Sequence, residues 1–314
     1  MALILSKQDV EGILDPAGAI EALVPVMLEE LDGTTFHQPT FGGSSTKRRT
    51  YRVVGGGLYG LRRMGIRVGG QCSLYDTETG GLVAIVSYHW GVLRVGATMA
   101  LAARYLARPD SRSIGLLGSG MNALNILQCL KLVRPIERVE MYSPTPDHRQ
   151  AFAEKASAAL GIPVTARDDP GEVVADVDII AVGTDSRTPI LAAQDIPPGV
   201  HVTSMGTVTE LDESVFLEID QFVAPNRAQE IDSGSPNAHP NLLGLLLNMV
   251  QEGRYDPSRI VELGSIIKGD VVPRNGPEDR TLFRDSRGGV GDLALANYVY
   301  ERARERGLGT EIDL

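Results

Sequence analysis

The chain has 314 residues and a formal net charge of −10, and that acidic balance excludes a general binder of nucleic acid or anionic membrane, since both need a basic footprint. Two cysteines, Cys72 and Cys129, exclude a disulfide framework and read as buried thiols of a reducing, cytoplasmic setting. No Cys-x-x-Cys or His-rich spacing suggests a metal, no apolar run reaches a membrane span, and residues 1–12 lack the basic start and long apolar core of a signal peptide. The length suggests two domains.

Ser6 opens a capping box with Asp9, and Asp15 before Pro16 marks a second helix start. Apolar residues recur at helical spacing from Leu23 to Leu31, and Gly33 is a natural stop. Two short helices are therefore expected at the N-terminus. Residues 34–92 change character. Thirteen of the chain's 35 glycines fall between Gly42 and Gly96, and short alternating runs at residues 52–54, 58–68, 72–75 and 82–88 are separated by turn signals. This predicts an antiparallel meander. Residues 96–107 are rich in Ala and Leu and read as a helix.

From Ser113 strands alternate with helices. Strands are expected at 113–117, 138–142, 164–166, 177–182, 200–205 and 221–224, with helices at 121–133 and 147–160. That alternation implies an α/β fold with a parallel, doubly wound sheet. An extended piece at 281–285 and a last helix at 290–307 could belong to either domain.

Residues 114–123, Ile-Gly-Leu-Leu-Gly-Ser-Gly-Met-Asn-Ala, run a strand into G-x-G-x-x-A and then a helix. Gly118 permits the tight turn, Gly120 lets backbone approach a pyrophosphate, and Ala123 allows close helix–strand packing. Ser119, Met121 and Asn122 complete the loop, and the phosphate sits at the positive helix end. The context makes this a dinucleotide site. The next strand ends at Ser143 rather than at the carboxylate that usually holds a ribose 2′-hydroxyl. Ser143, Thr145, His148 and Arg149 are donors suited to a 2′-phosphate, so NADP(H) is preferred, with NAD(H) possible.

A basic island lies inside the acidic chain. Between Lys47 and Arg94 there are eight basic residues and only two acids, Asp76 and Glu78. Guanidinium groups pair with a carboxylate through two hydrogen bonds, so an anionic substrate is implied. If residues 58–68 form one strand, Arg62 shares a face with Leu58, Met64, Ile66 and Val68, while Arg63 and Arg67 fall on the opposite, solvated side. Arg62 would then need a partner or a function. Arg94 precedes the Ala-rich helix.

The sequence resembles the ornithine cyclodeaminase/mu-crystallin family over about residues 5–309. Residues 93–108 are similar to that family's R-T-(A/G)-A helix. Residues 184–191 look like its T-x-S-x-x-P segment, which brings Thr184 to the cofactor. Gly269-Asp-Val, Leu282-Phe283 and Gly291-Asp292-Leu-Ala match its C-terminal pieces. The resemblance implies a Rossmann domain at 109–289 and an α+β dimerisation and substrate domain at 1–108 together with 290–314. It implies a homodimer, and hydride transfer between a nicotinamide and the Cα of an amino or imino acid.

Two departures narrow this. The lysine that meets the substrate in the family aligns with Arg62, and arginine is a poor proton shuttle. The aspartate that cyclodeaminases carry after the fifth strand is replaced near Gly206 and Thr207, which remain expected cofactor contacts. Arg94 fits the family's carboxylate-binding arginine. His89 has the pKa range for acid–base work; Glu210 and His239 are weaker candidates. The expected activity is NAD(P)H-dependent reduction of the C=N bond of a small 2-imino acid or cyclic ketimine, or the reverse amino-acid dehydrogenation. The alternatives are an ornithine cyclodeaminase-type lyase and a non-catalytic NADPH-binding protein.

Overall fold

The computed structural model describes residues 1–46, 49–186, 188–205, 210–231, 244–285 and 289–313, and for 38–46 and 49–52 the backbone alone. The chain opens with β1 (Ala2–Leu5), ahead of the two expected helices, α1 (Lys7–Glu11) and α2 (Pro16–Asp32). The Ser6–Asp9 capping box is formed, Asp15 accepts from the Gly18 amide at 2.7 Å, and Gly33 closes α2 at φ +68°. The meander follows as β2 (Thr35–Thr46), β3 (Arg49–Leu58), β4 (Arg63–Val68), β5 (Gln71–Asp76) and β6 (Leu82–Ser87), leading into α3 (Trp90–Leu106).

The expected single strand over 58–68 is broken. Leu58 ends β3, and β4 begins at Arg63. The buried Glu29 carboxylate of α2 holds the intervening turn, accepting from the amides of Gly60 at 2.8 Å and Leu61 at 3.0 Å. Arg62 closes the turn in the left-handed region, at φ +55°.

The second half is the strand–helix alternation. Its elements are β7 (Ser113–Leu117), α4 (Ala123–Val133), β8 (Arg138–Tyr142), α5 (Pro146–Leu160), β9 (Val164–Ala166), α6 (Pro170–Val174), β10 (Ile179–Val182), β11 (His201–Ser204), α7 (Glu213–Glu218), β12 (Gln221–Ala224), α8 (Arg227–Ile231), α9 (Gly244–Gln251), β13 (Ile260–Glu262), α10 (Leu263–Lys268) and β14 (Thr281–Arg284). These eight strands form one parallel sheet in the order β13-β12-β14-β11-β10-β7-β8-β9. The order reverses between β7 and β10, the crevice where doubly wound sheets bind ligands. The extended piece at 281–285 is thus a central strand, buried at every position.

The chain then returns to the first sheet. α11 (Gly289–Arg306) packs across the meander, and β15 (Thr310–Ile312) pairs with β1. The first sheet runs β15-β1-β6-β5-β4-β3-β2, antiparallel except that β1 is parallel to β6. Glycine explains how α11 gets so close. A Cβ on Gly56 would lie 2.9 Å from Val290, and one on Gly65 would lie 3.2 Å from Leu293. Gly56 and Gly65 are cross-strand partners on the inner face, so the meander's glycines seat a helix. No helix among the described residues is long and apolar enough to cross a membrane.

Candidate active site

The nucleotide cradle sits at the C-terminal ends of β7, β8 and β10. Gly118 ends β7 with φ +112°, and a Cβ there would lie 2.5 Å from the Gly183 carbonyl oxygen. Only glycine accommodates both constraints. Gly120 is different: a Cβ built on it meets nothing within 4 Å, because the loop faces open space ahead of α4. Ser119 and Asn122 are half-buried, Met121 is exposed, and Ala123 is buried where α4 begins. Backbone N–H groups at such a helix start are an anion site. The residues present therefore fit a dinucleotide.

A cleft of roughly 570 Å³ extends from this loop and is lined by Gly118, Ser143, Pro144, Thr184, Ile190 and Asp195 among others. Ser143 is buried, and its hydroxyl has no hydrogen-bond partner among the described residues. Thr145 and His148 are exposed at the start of α5. Arg149 is placed differently from the expected phosphate donor. Its guanidinium is buried, donates to the Ser143 carbonyl at 2.8 Å and to Asp168, and lies 5.5 Å from the Tyr142 ring centroid. It holds the strand end in shape rather than reaching outward. Thr184 donates from its hydroxyl to Glu210 at 2.8 Å, and Ser204 donates to the other Glu210 oxygen at 2.8 Å. Burial pushes the Glu210 carboxyl above its ordinary range. Glu210 thus ties the ends of β10 and β11 together. Gly206, Thr207 and His239 lie outside the described residues.

Two arginines of the basic island point inward, and Arg62 is not one of them. Arg62 is half-exposed and pairs with Glu78 at 2.7 Å and Asp76 at 3.5 Å. Because β4 starts after the turn, its phase is opposite to the expected one. Ile66 and Val68 point outward and are 42% and 41% exposed, while Arg63, Gly65 and Arg67 face α11. Arg63 is held by Asn297 at 2.8 Å and Glu301 at 2.7 Å, and has a structural role. Arg67 donates from Nε to Asp292 at 2.7 Å. Arg94 comes from α3, with its Nε 3.2 Å from the other Asp292 oxygen and its Nη1 3.6 Å from Asp285. Neither of those Arg94 nitrogens has a hydrogen-bond partner among the described residues, although both are buried.

Two packing features bring Arg94 to the cofactor edge. Gly96, two residues on, lets α3 lie against the Asn125 backbone in α4, where a Cβ would come within 2.8 Å. Asp285 directly follows β14, and its amide reaches the Ser204 carbonyl at the end of β11. The guanidinium of Arg94 therefore stands at the C-terminal edge of the parallel sheet. His89 is exposed at the start of α3, and no hydrogen bond in the structure joins it to Arg94. Sequence reasoning did not bring Arg67, Arg94 and Asp292 together; the available signal was an acid in the first turn of an otherwise buried last helix.

Known proteins share this fold. A sequence model of the ornithine cyclodeaminase/mu-crystallin family matches residues 62–307. A Delta(1)-pyrroline-2-carboxylate reductase of Bacillus cereus is 30% identical over 252 residues, 78% of this chain and 74% of its own length. The Thermococcus litoralis Delta(1)-pyrroline-2-carboxylate reductase, solved in complex with NADH and L-proline, superposes with a TM-score of 0.84 at 26% identity, covering 99% of this chain and 100% of that one. The iminosuccinate reductase of Paracoccus denitrificans is 24% identical, with 99% of this chain and 100% of its own covered.

Proposed function

The chain belongs to the ornithine cyclodeaminase/mu-crystallin family, and on that premise we propose that it is a pyridine-nucleotide-dependent oxidoreductase acting on the C=N bond of a small 2-imino acid or cyclic ketimine. One observation carries the reading: Arg94 stands at the C-terminal edge of the dinucleotide sheet with two buried nitrogens that lack hydrogen-bond partners among the described residues. Two inward guanidinium groups, Arg94 and Arg67, suit a substrate carboxylate. Delta(1)-pyrroline-2-carboxylate, the imine named for the Bacillus and Thermococcus relatives, is the leading substrate.

When bound, the nicotinamide supplies or accepts the hydride. The chain's own residues fix position and charge. Arg94 and Arg67 hold the carboxylate, which aims the adjacent imine carbon at the cofactor edge. Glu210 steadies Thr184 and Ser204 beneath that edge. His89, exposed at the start of α3, is the acid–base candidate of this reading. NADP(H) is the proposed cofactor, with NAD(H) as second choice. The support is the Ser143 hydroxyl at the end of β8, with Thr145 and His148 beside it, in place of an acid. Fluorescence titration should show tighter binding of NADPH than NADH, and the reverse order would overturn the preference.

The proposed assembly is a homodimer built on residues 1–108 and 290–314, with 109–289 as the nucleotide domain. The outer face of the first sheet supports this, because Phe36, Ile66 and Val68 share it and are each more than 40% exposed. Light scattering should give twice the 33.7 kDa chain mass. Free buried Cys72 and Cys129 fit a cytoplasmic setting. The activity itself is tested by following NADPH and NADH oxidation with Delta(1)-pyrroline-2-carboxylate, Delta(1)-piperideine-2-carboxylate, and 2-oxoacids plus amine. Turnover with a cyclic imine is expected; silence across the panel would refute the reductase reading.

A further inference from the structure

We propose that Asp292 is a positioning residue that sets the two arginines as one carboxylate clamp; this deepens the reading above and rests on it. Asp292 is in the first turn of α11 and only 2% exposed. One carboxylate oxygen accepts from Arg67 Nε at 2.7 Å, and the other stands 3.2 Å from Arg94 Nε. The two guanidinium groups come from different elements, β4 and α3, and like charges do not converge without an anion between them. The start of α11 is the end of a helix that suits a carboxylate.

A second feature points to the same design. A Cβ on Gly291 would lie 3.2 Å from Arg94 Cδ and 3.5 Å from Arg94 Cγ. The absent side chain lets the Arg94 stem lie across the first turn of α11, next to the carboxylate that orients its head. Arg67 is fixed at a second point, where Nη1 donates to the Gly69 carbonyl at 2.7 Å. The clamp is thus oriented from behind by Asp292 and from the side by Gly69, leaving the pair to meet an incoming carboxylate.

The test is Asp292→Asn, compared with Arg94→Ala, using NADPH oxidation with Delta(1)-pyrroline-2-carboxylate. The carboxylate presents one oxygen to each guanidinium, accepting from Arg67 and facing Arg94 as an ion pair, whereas an amide is neutral and can turn a donor toward one of them. One arginine is therefore released while the shape is kept. Carboxylate holding is common to ground and transition states, so KM should rise about tenfold or more with kcat within about threefold. Nucleotide affinity, read by fluorescence, should not move and doubles as the check on folding. Should Asp292→Asn not fold, Gly291→Ala reads the same contact, and a smaller rise confined to KM is expected. If Arg94→Ala loses activity and both α11 variants keep wild-type KM, the positioning role is overturned while the carboxylate reading stands. If Arg94→Ala is also unchanged, both fall.

Discussion

Two groups of arginines border α3, one near each end, and they are treated oppositely. At the C-terminal end, Arg134 donates to the carbonyls of Arg104, Val133, Ala107 and Arg108, and Arg274 donates to those of Leu106 and Asp279. Arg108 bonds to Gly199 and Asp178. None of these guanidinium groups has a buried nitrogen without a partner among the described residues. Arg134 and Arg274 cap the carbonyls at the end of α3, where cations are favoured. Nearer the N-terminal end, Arg94 faces two carboxylates yet keeps two buried nitrogens without hydrogen bonds. Satisfied arginines hold the fold; an arginine with buried donors to spare is shaped for a ligand.

That contrast can be broken by substitution. Arg94→Ala should lower kcat/KM about a thousandfold, with nucleotide affinity little changed, because it removes a charge-assisted contact to substrate. Steady-state kinetics beside a nucleotide titration checks it. Arg134→Ala should do the converse, lowering stability by about 2 kcal/mol through four unsatisfied carbonyls while leaving KM alone. Denaturant unfolding measures that loss.

His201 sharpens the point through pH. It is fully buried, with Nδ1 2.9 Å from Thr281 Oγ1. Burial, aided by Arg274 and Arg134, depresses its pKa well below the ordinary 6.5. The unfolded chain takes up a proton there as pH falls through 6.5 and the folded chain does not. Stability should therefore fall below that pH, by up to about 1.4 kcal/mol per unit, and His201→Gln should flatten the slope. Arg62→Ala gives the smallest effect. Its guanidinium is half-exposed on Glu78, so stability should change by no more than about 0.5 kcal/mol and kcat/KM should hold.

The doubly wound sheet was legible because its central strands are buried on both faces and read as apolar runs. The expected spans at 113–117, 138–142, 164–166 and 221–224 coincide with β7, β8, β9 and β12. The first sheet was harder. β1 depends on β6, a partner far along the chain, and four apolar residues before a capping box carry no strand period. The turn at residues 59–62 depends on Glu29, so local pattern could not place it, and the phase of β4 was inverted with it. Glycine held the missing information. Gly56 and Gly65 mark the face that takes α11, which turns Arg67 inward and leaves Ile66 and Val68 outside. The basic island did contain the candidate clamp, but through Arg67 and Arg94 rather than Arg62.

The most direct measurement is a crystal structure with bound nucleotide and pyrrole-2-carboxylate, a planar analogue of the proposed imine. The carboxylate is expected within hydrogen-bonding distance of Arg94 and Arg67, with the ring against the nicotinamide. A carboxylate bound elsewhere, with the Arg94 nitrogens still without partners, would contradict the account.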